Sequence, residues 1–131
     1  MRKFHLVLGL MTLLVFVLTG AYMRFVAHPS QLADRPHLMF VSRHIYILAN
    51  ALVQLALGAY VVPIATRVGR NVQWIGSSLI AASSVLLVTA FILEPMAGHP
   101  RTLVSSFGIY TLFAGTILHF VIALRADARR Y

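Results

Sequence analysis

No cysteine occurs in the 131 residues, which excludes disulfides, thiolate metal sites and thiol catalysis. Acidic residues are nearly as scarce, with Asp34, Glu94 and Asp127 the only three. So few carboxylates leave no paired acid and base, and GxSxG, HExxH and phosphate-loop patterns are absent as well. No familiar hydrolase fits. Charged residues make up only 11% of the chain, where a soluble domain carries about a quarter. What fills their place is apolar: 60% of the residues are hydrophobic. An integral membrane protein is the class that such a composition fits.

The net charge of +8 comes from 11 Lys and Arg against 3 acids. It does not point to nucleic acid, because the basic residues sit in short clusters between apolar runs. No basic face interleaved with aromatics is present.

Four runs are long enough to cross a bilayer: Phe4–Val26, Leu38–Ala65, Val72–Leu93 and Thr102–Leu124. The first follows Met1-Arg2-Lys3, and Thr19-Gly20-Ala21 has the small residues of a signal-peptide cleavage site. Its apolar core exceeds the length of such a peptide, so an uncleaved first helix is expected. Asp34-Arg35-Pro36 leads into the second span, and Asn71 is an N-cap candidate for the third. Connections this short place consecutive spans antiparallel. The expected fold is all-α: a single domain, residues 1–131, forming an up-down-up-down four-helix bundle in the membrane.

Orientation follows from the basic residues between spans. Arg2, Lys3, Arg67, Arg70, Arg125, Arg129 and Arg130 fall on one side, seven in all. Four others, Arg24, Arg35, Arg43 and Arg101, fall on or towards the opposite side. Both termini are therefore expected in the cytoplasm, in a bacterial-type inner membrane. The second and fourth spans also begin alike. Pro36, Ser42, Ile45, Tyr46 and Leu48 match Pro100, Ser106, Ile109, Tyr110 and Leu112 at a constant offset of 64. A weak parallel repeat of two-helix halves would produce that match.

Polar residues inside the spans are the candidates for function, because membrane depth makes them costly unless something answers them. Arg43, Tyr46, Asn50, Gln54 and Gly58 share one arc of the second helix, its expected inner face. Arg43 is the costliest. Glu94, ending the third span at similar height, is its expected ion-pair partner, and an anion or carboxylate contact is the functional alternative. Asn50 and Gln54 lie near the midplane, where Ser83, Ser84, Thr111 and Thr116 can receive their hydrogen bonds. Small-residue stripes, such as Gly108, Thr111, Gly115, His119 and Ala123, read as helix-packing surfaces.

Six histidines are the main anomaly of so apolar a chain. His28, His37, His44 and His99 gather towards the outer side and form a candidate metal set, although their spacing matches no compact ligand motif. His5 and His119 lie near the inner side, one on the first span and one on the fourth. If those spans are neighbours, the two imidazoles can face each other across a haem b, with Arg43 and His44 as further cofactor contacts. The outline is similar to that of four-span haem-handling membrane proteins, which is a likeness of architecture only. The leading expectation is a non-enzymatic accessory or scaffold subunit, self-associating or joined to a larger membrane complex. A haem or transition-metal protein in electron transfer or cofactor handling is the alternative. A lipid- or quinone-binding module using Arg43, Tyr46 and Asn50 is the third.

Overall fold

A computed structural model describes residues 1–62, 64–97 and 102–127, with side chains described through Arg125. Within these residues every regular element is helical. Helix α1 spans Arg2–Tyr22 and widens into a π-helical turn, Met23–Ala27, before a short 3-10 turn at Pro29–Gln31. Helices α2 (Asp34–Tyr60), α3 (Arg67–Leu93) and α4 (Leu103–Asp127) follow. All four are long and apolar enough to cross a membrane.

Helix ends depart from the sequence reading where local chemistry outweighs the apolar pattern. α2 begins at Asp34, whose carboxylate suits the positive end of the helix dipole. It stops at Tyr60 rather than Ala65. Proline at position 63 steers the residue before it out of the helical region, and Val61 is already extended. α3 then starts earlier than expected. Its N-cap is Thr66, whose hydroxyl accepts from the Gly69 N–H at 3.2 Å, and Asn71 lies inside the helix instead. His28 closes the π turn with φ 42° and ψ 57°, a left-handed conformation that helix ends commonly assign to glycine.

The helices pack as two antiparallel hairpins, α1 with α2 and α3 with α4, joined along α2 and α3. The two central helices bury 39% and 44% of their most apolar stretch, against 11% for α1 and 17% for α4, so α2 and α3 form the middle of the bundle. Among the described residues α1 and α4 share no long interface, although the two spans meet where His5 approaches His119. Phe40, Ile47, Leu87 and Phe91 form the apolar core, with Val15, Phe16 and Tyr46 packed against it.

Two glycine contacts set the spacing inside the hairpins. A Cβ on Gly115 would lie 2.6 Å from the Gly76 carbonyl oxygen, so α3 and α4 touch backbone to backbone. A Cβ on Gly9 would come within 3.0 Å of the Leu55 backbone nitrogen, so α1 and α2 do the same. Without a hydrophobic drive between helices in lipid, such close approach is a main source of association.

Candidate functional site

The buried polar side chains fall into two groups, and each ties several helices together. Towards the start of α2 and the end of α3, Nε and Nη2 of Arg43 both donate to Oε2 of Glu94, at 2.8 Å each. Nη1 donates to Ser42 Oγ at 2.8 Å, and Nη2 reaches Ser105 Oγ at 3.2 Å. The second Glu94 oxygen accepts from the Ser105 backbone N–H at 3.0 Å. Arg43 is 6% exposed, Glu94 2% and Ser105 3%. One guanidinium and one carboxylate thus clamp α2, the end of α3 and the start of α4. The expected Arg43–Glu94 pair forms, and its geometry leaves little of either group for an external anion.

The second group begins near the middle of α2 and α3. Asn50 Nδ2 donates to Ser83 Oγ and, at 3.4 Å, to the Ile80 carbonyl. Its Oδ1 accepts from Ser84 Oγ at 2.7 Å. Gln54 Nε2 reaches Ser84 Oγ at 3.4 Å, and Gln54 Oε1 lies 2.6 Å from His5 Nδ1. His5 Nε2 lies 2.9 Å from Ser77 Oγ, and His119 Nε2 lies 3.1 Å from the same oxygen. The chain of contacts runs Asn50, Ser84, Gln54, His5, Ser77, His119, across all four helices. Each of these side chains is at most 7% exposed.

Proton counting orients the contacts from Ser84 to His5. Ser84 gives its single proton to Asn50, the closer of its acceptors, so it can only accept from Gln54. That leaves Gln54 Oε1 facing His5, and Nδ1 of His5 must carry the hydrogen. A neutral His5 then presents a bare Nε2 at 2.9 Å from Ser77 Oγ, and the single Ser77 proton goes to it or to the Gln73 carbonyl at 2.8 Å. With that proton used, Ser77 accepts from Nε2–H of His119. His119 is therefore the neutral tautomer with a bare Nδ1, and that atom is buried with no partner among the described residues.

Between the two groups lies an apolar layer. Ile47 on α2 and Leu87 on α3 occupy the height between Arg43–Glu94 and Asn50–Ser84, and both are 0% exposed. The candidate inner face of Tyr46, Asn50, Gln54 and Glu94 is thus divided, and among the described residues it lines no continuous polar path through the bundle. Tyr46 itself is half-buried against the apolar core.

The histidines are separated by level. His5 and His119 do come together, with ring centroids 5.6 Å apart and planes at 79°. Both Nε2 atoms converge on one serine hydroxyl, so Ser77 closes the pair where a macrocycle would have to stand. His44 lies between α1 and α2. Its ring stacks on Phe16 at 4.1 Å and its Nδ1 lies 3.0 Å from Thr19 Oγ1. His28 is exposed in the connection between α1 and α2, and His37 is half-buried in the first turn of α2. His99 lies outside the described residues. Among the described residues, no three His, Asp or Glu side chains gather as a metal site requires.

Four contributors escaped the sequence reading. Ser77 is the hub of the inner group, yet nothing in the pattern separates it from Ser83 and Ser84. Ser105 was hidden at the opening of α4. Gln73 secures the connection between α2 and α3, donating to the Val62 carbonyl at 2.8 Å and accepting from the Ile64 N–H at 3.2 Å. Arg2 caps α2 by donating to the carbonyls of Gly58 and Ala59, at 3.3 and 2.9 Å. Its charge at the start of the chain was its only signal, and the reading of orientation already accounted for that.

Comparison of the chain with protein-family models, with curated proteins and with solved structures finds no match.

Proposed function

We propose that this chain is a small polytopic protein of a bacterial-type inner membrane, with both termini cytoplasmic, and that it serves as a non-enzymatic accessory or scaffold subunit of a membrane complex. The observation that carries the reading is the internal use of its polar side chains. Arg43, Glu94, Asn50, Gln54, His5 and Ser77, the groups best suited to bind or transform a ligand, hold the four helices to one another. What the molecule offers outward is apolar. Phe107, Tyr110, Phe113, Ile117, Phe120 and Leu124 form an exposed stripe along α4. Their three- and four-residue spacing gives one continuous helix face of the kind a neighbouring transmembrane helix can pack on.

The absence of cysteine makes the test clean. Single Phe113→Cys and Leu14→Cys variants present one thiol each, on α4 and α1, in a chain that otherwise has none. Crosslinking in native membranes should give a defined adduct, with a second copy or another subunit, from one helix face. Only uncrosslinked chain from both variants would count decisively against the subunit reading.

A further inference from the structure

The two hairpins are staggered along the bundle. Ring centroids of Phe4 on α1 and Trp74 on α3 lie 6.0 Å apart, and Arg2, at the same end of α1, reaches the last turn of α2 at Gly58 and Ala59. α2 therefore finishes near the level of Trp74. α3 begins at Arg67, seven residues before Trp74 and roughly 10 Å further along the axis at about 1.5 Å per residue. α4, held against α3 at Gly76 and Gly115, continues beside it to Asp127. A step is left where α3 and α4 run past the end of α2, and a cleft of about 1050 Å³ occupies it. Its walls are largely aliphatic, with Leu57, Ile64, Val68 and Ile122 among them.

This cleft is continuous with the exposed stripe of α4. Phe120 and Leu124 belong to both, so the apolar surface runs from Phe107 along the helix and into the step. Arg125 lines the cleft, and the exposed Arg67 and Arg70 flank its residues Val68 and Gly69 in the first turn of α3. Acidic groups do not balance them. Glu94 is engaged by Arg43, Asp34 begins α2 at the opposite end, and Asp127 is the one acid of the sequence on this side. A second copy docking through the same surface would set like charges together, three arginines and one aspartate from each chain. Like-charge juxtaposition costs affinity, whereas an acidic partner gains on-rate and register from the same arginines.

We propose that the stripe and the cleft form one docking surface for a different protein, through a transmembrane helix that carries a carboxylate side chain at the end meeting Arg125. The helix packs along Phe113 and Ile117, and its last apolar side chains enter the step beside Val68. Its acid then faces the three arginines. Aromatic and arginine side chains are the types enriched where proteins meet. The inference rests on the subunit reading and adds the partner's chemistry: a different chain, apolar along its length and acidic at one end.

Single-cysteine chains test this in native membranes. Phe113→Cys on the stripe and Val68→Cys in the cleft, both at exposed positions, each carry a benzophenone attached through the thiol, and the tagged chain is recovered after photolysis. Both should give one protein adduct of the same mass, different from that of two copies of this chain. Sequencing of the crosslinked fragment should find an Asp or Glu beside its apolar stretch. Adding Arg125→Glu should lower the Val68 adduct about tenfold, and Arg125→Lys should keep it. An adduct of two copies overturns the proposal, as does a partner without the acid, or an Arg125→Glu yield equal to that with Arg125 in place. A protein adduct from Phe113 with only lipid adducts from Val68 overturns it too, and leaves the subunit reading standing. No protein adduct from either position removes the subunit reading with it.

Discussion

Arg43 and Glu94 illustrate how a single residue pair can be essential without adding to net stability. Taking both charges out of water is expensive, and the gain from pairing them roughly offsets that cost. Removing one partner is another matter. Glu94→Gln leaves a buried guanidinium uncompensated and should cost about 3–5 kcal/mol in a detergent unfolding titration. Replacing both, as Arg43→Met with Glu94→Leu, should recover much of that loss, because the isolated charge disappears with its partner. A double replacement no more stable than Glu94→Gln would refute the account of the clamp. Ser77 has a similar position in the inner group. Ser77→Ala removes the shared partner of His5 and His119 and should cost about 1–3 kcal/mol. Thr89→Ala, an exposed hydroxyl that bonds back to the Val85 carbonyl of its own helix, should stay within about 0.5 kcal/mol. The Arg43–Glu94 pair was legible in the sequence because helix rise fixes depth, and both residues fall near the same membrane surface. The Ser77 hub was not, because depth alone cannot choose among serines that share one helix.

Elements follow from patterns that sequence reports well and from contacts that it reports poorly. Apolar run length named all four helices and their antiparallel order. It misplaced the ends around the second connection, because run length ignores the proline at 63 and the Thr66 cap. The pairing of α1 with α2, rather than with α4, depends on which small residues meet, and a stripe on each helix leaves that choice open. Gly76 and Gly115 are where α3 and α4 decide it. Alanine is the better helix former by about 1 kcal/mol, so an isolated α4 would gain from Gly115→Ala. In the bundle the new methyl meets the Gly76 carbonyl and Ile80, both at 2.6 Å, and the helices must separate. Gly115→Ala should therefore destabilise the protein by about 1–3 kcal/mol, measured by thermal unfolding in detergent. A stabilised variant would show that the two helices do not touch as described.

For the whole molecule, the division of labour between inside and outside is the main result. Polar groups meet one another at two levels within the bundle, and the outer faces of α1 and α4 are left apolar. The basic residues at the helix ends predict direction. A phosphatase fused after Tyr131, active only outside the cytoplasm, should give no signal, whereas fusion within the outer connection near Ser30 should give full activity. The reverse pattern would invert the proposed topology. The central claim is that this bundle works through what packs against it, and the most direct measurement is the mass of the intact particle released from native membranes in lipid nanodiscs. The account predicts a particle heavier than one chain, either a homo-oligomer or a complex with a second protein. A particle containing a single chain and lipid would contradict it.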